Sequence, residues 1–117
     1  MASLVYAQQD PSEFANPNVV KAIRSSKGWA LYFSRSPIPY GSGSGPAPFL
    51  QHIGVYAFRA QALKRFCSLS RSPLELRERL EQLRALENGM KILLVDASKS
   101  TIGIDSPEDL EAARARI

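Results

Sequence analysis

The sequence predicts an α/β fold, a mixed sheet that contains an antiparallel hairpin and carries three helices. Three observations predict it. Phe49–Phe58 reads as a strand that runs straight into a helical stretch, Arg59–Leu69, with Ala60, Leu63 and Phe66 at helical spacing. Ser72-Pro73-Leu74-Glu75 and Ser106-Pro107-Glu108-Asp109 both open helices, since a Ser cap, a Pro at the first helical position and an acid in the first turn satisfy the free N–H groups there. Val19–Ile23 and Trp29–Ser34 are β-prone runs separated by Ser25-Ser26-Lys27-Gly28, turn chemistry suited to an antiparallel pair.

The remaining elements follow in order. Ala2–Ala7 is a short apolar strand, and Asn16-Pro17-Asn18 is a turn before the hairpin. After Ser36-Pro37-Ile38-Pro39-Tyr40 comes Gly41-Ser42-Gly43-Ser44-Gly45, then Pro46-Ala47-Pro48. Strict Gly/Ser alternation cannot pack a core, and its regularity reads as an engineered linker over 41–45 in place of a loop. The helix opened at Ser72 runs to about Glu87, with Leu76, Leu80, Leu83 and Leu86 as one apolar stripe and Asn88-Gly89 as its left-handed stop. Lys91–Val95 is a buried strand, and Pro107 to about Arg116 a last helix with Leu110 and Ala113 facing inward. No internal repeat is present, and 1–117 reads as one domain.

Size and composition narrow the function. A chain of 117 residues that is 44% hydrophobic and 22% charged is globular, with one core and a shallow or shared site rather than the deep cleft of a two-domain enzyme. No apolar run approaches the ~18 residues of a membrane span, and MASLVYAQQD lacks the pattern of a signal peptide. A cytoplasmic chain without a membrane partner is expected. The single Cys67 cannot form an internal disulfide and reads as a small core residue; one His and one Cys exclude the common structural zinc clusters. The net charge is +4, carried unevenly: residues 1–70 hold 7 basic and 2 acidic side chains, residues 71–117 hold 8 and 9. That asymmetry suits an anionic ligand or serves solubility alone. Basic tracts interleaved with aromatics are absent, so nucleic acid is not an expected partner.

Candidate site residues can be placed from spacing. His52 and Tyr56 lie four apart on the strand Phe49–Phe58 and share a face, with Gly54 between them leaving a side-chain-sized gap and Ile53, Val55 and Ala57 packing the opposite face. Such a pair either bonds sugar hydroxyls or is the wet side of a half-buried strand. Arg35 closes a strand, where it is either solvated or offers a carboxylate two parallel hydrogen bonds. Asp105 precedes a capped helix, Glu81 and Gln82 sit mid-helix beside the leucine stripe, and Lys21 and Arg59 read as scaffold charges.

Five blocks, FANPNVVKAI (14–23), GWALYFSRSPIPY (28–40), FLQHIGVYAFRAQALKRF (49–66), SPLELRERLEQLRALENGMKI (72–92) and GIDSPEDLEAAR (103–114), together resemble the CMP-KDO synthetases, the 3-deoxy-manno-octulosonate cytidylyltransferases. The resemblance covers nearly the whole chain outside the Gly/Ser run and corresponds to about the C-terminal half of such an enzyme. It implies a nucleotide-diphospho-sugar transferase-like fold and a nucleotidyltransferase that moves CMP from CTP to KDO, releasing pyrophosphate, with Mg²⁺ as cofactor, in lipopolysaccharide precursor synthesis. It further implies that Arg35, His52, Tyr56, Glu81 and Gln82 bind the sugar acid and that Asp105 is a metal ligand. The family's glycine- and basic-rich phosphate loop is not among these residues, so this chain alone is expected to be inactive. Two rival readings stand beside this one: a non-catalytic folding or homodimerisation module cut from that enzyme, and a basic anion-binding domain of another kind. Loss of a neighbouring strand would leave a free sheet edge that invites self-association.

Overall fold

The computed structural model describes residues 1–41, 47–98 and 107–115. Alternation along the first strand, β1 (Ala2–Gln8), turns Ser3 and Val5 into the core and leaves Leu4 and Tyr6 half-buried on the other side. A short helix then follows, α1 (Pro11–Ala15), whose Asp10 cap accepts the Ser12 N–H at 2.9 Å. The sequence reading places no helix here, although Asp10-Pro11-Ser12-Glu13 has the same cap-Pro-x-Glu order as residues 72–75.

The hairpin forms as expected from β2 (Lys21–Arg24) and β3 (Ala30–Ser34), with Ala22 opposite Phe33 and Ile23 opposite Tyr32. A long strand, β4 (Phe49–Ala57), leads into α2 (Ala60–Ser68); α3 (Pro73–Glu78), α4 (Gln82–Glu87), β5 (Leu93–Asp96) and α5 (Pro107–Arg114) complete the order. The five strands lie in the order β3-β2-β4-β1-β5, antiparallel except for the β1–β5 pair. The expected mixed α/β sheet is therefore present, with five helices among the described residues instead of three.

The extra helices have separate causes. Besides α1, the single helix expected over residues 73–87 is two, because Arg79 adopts the left-handed conformation at φ 57°. The carbonyls freed at that break do not stay orphaned: Arg35 Nε donates to Glu78 O at 2.9 Å and Arg35 Nη2 to Arg79 O at 3.2 Å. Across the break, Arg84 donates to the carboxylate of the buried Glu75, which also accepts the Ser72 N–H at 3.0 Å. The ion pair holds the Glu75 carboxyl below the usual carboxylate range. The leucine stripe breaks at the same point. Leu80 and Leu83 are buried, whereas Leu76 is 57% exposed. Gly89, at φ 77°, ends α4 as its pattern predicts, with its N–H on Leu86 O and that of Met90 on Ala85 O.

The two edge strands touch at one point, a single bridge between Trp29 and Leu93. Ala30 N–H donates to Ile92 O at 2.8 Å and Leu94 N–H to Gly28 O at 2.9 Å, so the start of β3 joins β5. Arg24 fastens the same seam through Leu94 O and the Asp96 carboxylate. Inside this curled sheet, Val5, Ala22, Phe33, Ile92 and Leu94 form the core with Phe66, Leu80 and Leu83. Leu110, expected inward, is 39% exposed. The Gly/Ser segment beyond Gly41 and the metal candidate Asp105 lie outside the described residues.

Candidate functional site

The site starts from an irregularity in β4. Ser3 pairs with Tyr56 but Leu4 pairs with Ile53, so Gly54 and Val55 are extra residues bulged out of the ladder. Because two residues are inserted, the alternation is restored beyond the bulge, and His52 and Tyr56 do share a face, their ring centroids 5.6 Å apart. That face is not the wet one. His52 meets Phe33 edge-on at 4.8 Å, and Tyr56 continues through Phe58 to Phe66 at 6.3 and 5.7 Å, an aromatic file from the core to α2. Of the residues expected to pack the opposite face only Ile53 is buried; Val55, carried off the ladder by the bulge, is 57% exposed, and Ala57, paired with Ala2 at the end of the strand, is exposed too. Gly54 is exposed in the bulge, where a Cβ would meet nothing within 4 Å, and the expected gap between His52 and Tyr56 is absent because their rings lie side by side.

The break at Arg79 supplies the second wall. It places Glu81 and Gln82 at the start of α4 rather than mid-helix, with Glu81 exposed and Gln82 4% exposed. Between these residues and α2 lies a pocket of about 220 Å³. Its polar lining is Tyr56, Glu81 and Gln82, and Phe58, Leu63 and Phe66 supply apolar surface. Such a volume is below the ~300–1,000 Å³ of drug-sized ligand sites and suits a monosaccharide better than a nucleoside triphosphate. Cys67, expected in the core, is exposed and lies on this wall.

Electrostatics define what the pocket offers. Burial raises the Tyr56 phenol to about 12, helped by the Glu81 carboxylate, so it stays protonated and can donate. Burial also lowers the His52 imidazole from 6.5 to about 4, keeping it neutral at pH 7. His52 Nδ1 lies 3.5 Å from Gln82 Nε2 and its Nε2 lies 2.7 Å from Ser3 Oγ. His52 thus backs the pocket through Gln82. Sequence spacing alone does not single out Ser3; a polar residue at an inward position two before Val5 is the signal that marks it.

Arg35 is not in this pocket. Each guanidinium nitrogen donates to a main-chain carbonyl, those of Glu78, Arg79 and, at 3.0 Å, Pro17, while the Arg35 N–H donates to Glu78 Oε1. Beside it Lys21 is fully buried, its Nζ donating to Asn16 O at 2.7 Å and Arg35 O at 2.6 Å. Burial, with the Arg35 charge nearby, lowers the Lys21 ammonium. No three metal-ligating side chains gather among the described residues, and Asp105, the expected metal ligand, lies outside them.

A curled mixed sheet carries a small, largely apolar pocket between β4, α2 and α4, bordered by the polar side chains of Tyr56, Glu81 and Gln82. Comparison with known proteins gives its class. The family described as cytidylyltransferase matches residues 1–92, and the chain belongs to that family. It is 45% identical over 112 residues to the 3-deoxy-manno-octulosonate cytidylyltransferase of Solibacter usitatus, covering 95% of this chain and 44% of the relative. The protein of the same name from Acidobacterium capsulatum is 52% identical over 101 residues, 86% of this chain and 41% of the relative. Among solved structures, CMP:2-keto-3-deoxy-manno-octonic acid synthetase complexed with CTP superposes with a TM-score of 0.85 at 39% identity, covering 98% of this chain and 47% of that one. The chain thus spans about half the length of the relatives it matches, as the resemblance implies.

Proposed function

We propose that this chain is the sugar-side half of a KDO cytidylyltransferase site, acting in the transfer of CMP from CTP to KDO with release of pyrophosphate, a lipopolysaccharide precursor step in the cytoplasm. The observation that carries this reading is the convergence of Tyr56, Glu81 and Gln82 on one pocket, with His52 behind Gln82, in a chain 45% to 52% identical to proteins of that name. An acidic sugar presents hydroxyls and a carboxylate. The protonated Tyr56 phenol donates to either, Glu81 and the Gln82 amide accept from hydroxyls, and Phe58 and Phe66 cover the apolar ring face. Arg35, in this reading, acts by fixing the α3–α4 break that presents Glu81 and Gln82, and does not touch the sugar.

The anomeric hydroxyl of KDO would attack the α-phosphorus of CTP as pyrophosphate leaves. Mg²⁺, with Asp105 as this chain's ligand, would offset charge on the phosphates. The residues that hold CTP phosphates are not among these 117, so the chain alone binds sugar without turnover. Isothermal titration with KDO is expected to show saturable millimolar binding, with no pyrophosphate released when CTP and Mg²⁺ are added. Absence of KDO binding would contradict the reading. The closure of the sheet at Trp29 and Leu93 favours, as a second reading, a self-standing folding module; sedimentation showing a folded chain indifferent to KDO and CTP would select it.

A further inference from the structure

Ser3 stands on β1 opposite Tyr56 and is 3% exposed. Three atoms surround its Oγ: His52 Nε2 at 2.7 Å, Val55 O at 2.8 Å and Ile53 O at 3.2 Å. A hydroxyl has one proton, and two of these neighbours are carbonyls that can only accept. The bulge withdraws Val55 from the ladder, and its carbonyl, the nearer of the two, takes the Ser3 proton. If that proton went to His52 instead, oxygen lone pairs would face one another at 2.8 Å, an uncompensated contact in a buried place. Ser3 Oγ must therefore accept from His52, and the ring carries its proton on Nε2.

The consequence passes to Gln82. With Nε2 protonated, Nδ1 is a bare acceptor, and the amide 3.5 Å away must turn its NH₂ toward it. The Gln82 carbonyl then points away from the ring. We propose that Ser3 is a positioning residue: by fixing the His52 tautomer it orients the Gln82 carboxamide so that the pocket receives an acceptor for a sugar hydroxyl instead of an NH₂ donor. This rests on the sugar reading of the pocket given above. Phe33, edge-on to His52, holds the ring plane in which the relay works. Without Ser3 the ring is free to move its proton to Nδ1, and the amide flips in answer.

His52 is the sole histidine of the chain, so its ring nitrogens can be read without ambiguity in ¹⁵N-labelled protein. At pH 7 the wild type is expected to show a protonated Nε2 and an unprotonated Nδ1; Ser3→Ala should show both tautomers, and Ser3→Thr, which keeps the hydroxyl, should restore the first. A proton on Nδ1 in the wild type, or an unchanged tautomer in Ser3→Ala, overturns the proposal. The amide spectrum of each variant reports whether the fold is kept. In a KDO titration Ser3→Ala should raise Kd about tenfold, the worth of one hydrogen bond, and Ser3→Thr should stay near the wild type. A shifted tautomer with unchanged KDO affinity overturns the link to the pocket. A wild type that ignores KDO falls on the proposed function instead, the tautomer still deciding what Ser3 does.

Discussion

Two polar clusters flank α3 and α4, and they are built to opposite ends. In the Lys21–Arg35 cluster both cations spend their donors on main-chain carbonyls, those of Asn16, Arg35, Pro17, Glu78 and Arg79. In the pocket, Tyr56, Glu81 and Gln82 line open space, and the groups behind them are neutral. Charge saturated by backbone fixes the chain path; polar groups left facing a cavity keep donors and acceptors free for a ligand. The difference teaches that a basic residue in a family-like motif has to be tested for what already occupies its donors before it is given a ligand.

The largest effect should come from the first cluster. Lys21→Met keeps volume but orphans two carbonyls, and is expected to cost about 3 kcal/mol in chemical denaturation; a near-neutral result would mean that Lys21 is not the fixed tie described. In the pocket, Gln82→Leu should weaken KDO binding about thirtyfold while the fold persists, since it removes one hydrogen bond and buries an unmet hydroxyl. Equal affinity would remove the pocket from the comparison.

His52 gives a pH signature of intermediate size. Its folded pKa lies below the unfolded one, so its contribution is complete above pH 6.5 and is lost as pH falls toward about 4, the unfolded chain taking up the proton first. By pH 5.5 the loss is about 1.4 kcal/mol relative to pH 8. The stability difference between the wild type and His52→Gln, followed over that window, measures it; a flat difference would show an imidazole that titrates alike in both states. The smallest effect separates the clusters most sharply. Arg35→Lys should lower stability by about 1 kcal/mol through lost carbonyl contacts, with KDO affinity little changed. Lost affinity at unchanged stability would put Arg35 on the sugar.

Much of this was legible in the residues. The hairpin, β4 feeding α2, and the caps at Ser72 and Gly89 follow from local chemistry, which is why their boundaries shift by only a residue or two. The break at Arg79 is not local: an unbroken leucine pattern favours one helix, and the turn is held by Arg35, 44 positions away. The bulge at Gly54 likewise depends on β1, so the sequence could pair His52 with Tyr56 yet expect packing at Val55 and Ala57, which stand exposed. The exposure of Cys67 is hidden from the sequence for a related reason, because helical spacing does not reveal that α2 borders a pocket. The role of Ser3 needed coordinates outright, as three partners from one other strand meet at a single oxygen.

The most direct test of the pocket is a KDO titration of isotope-labelled chain, followed at the Gln82 side-chain amide, the Tyr56 backbone amide and the Arg35 guanidinium. The account predicts saturable shifts at Gln82 and Tyr56 with Arg35 unmoved. Resonances that stay still at Gln82 and Tyr56 at millimolar KDO, or shifts confined to Arg35, would contradict it.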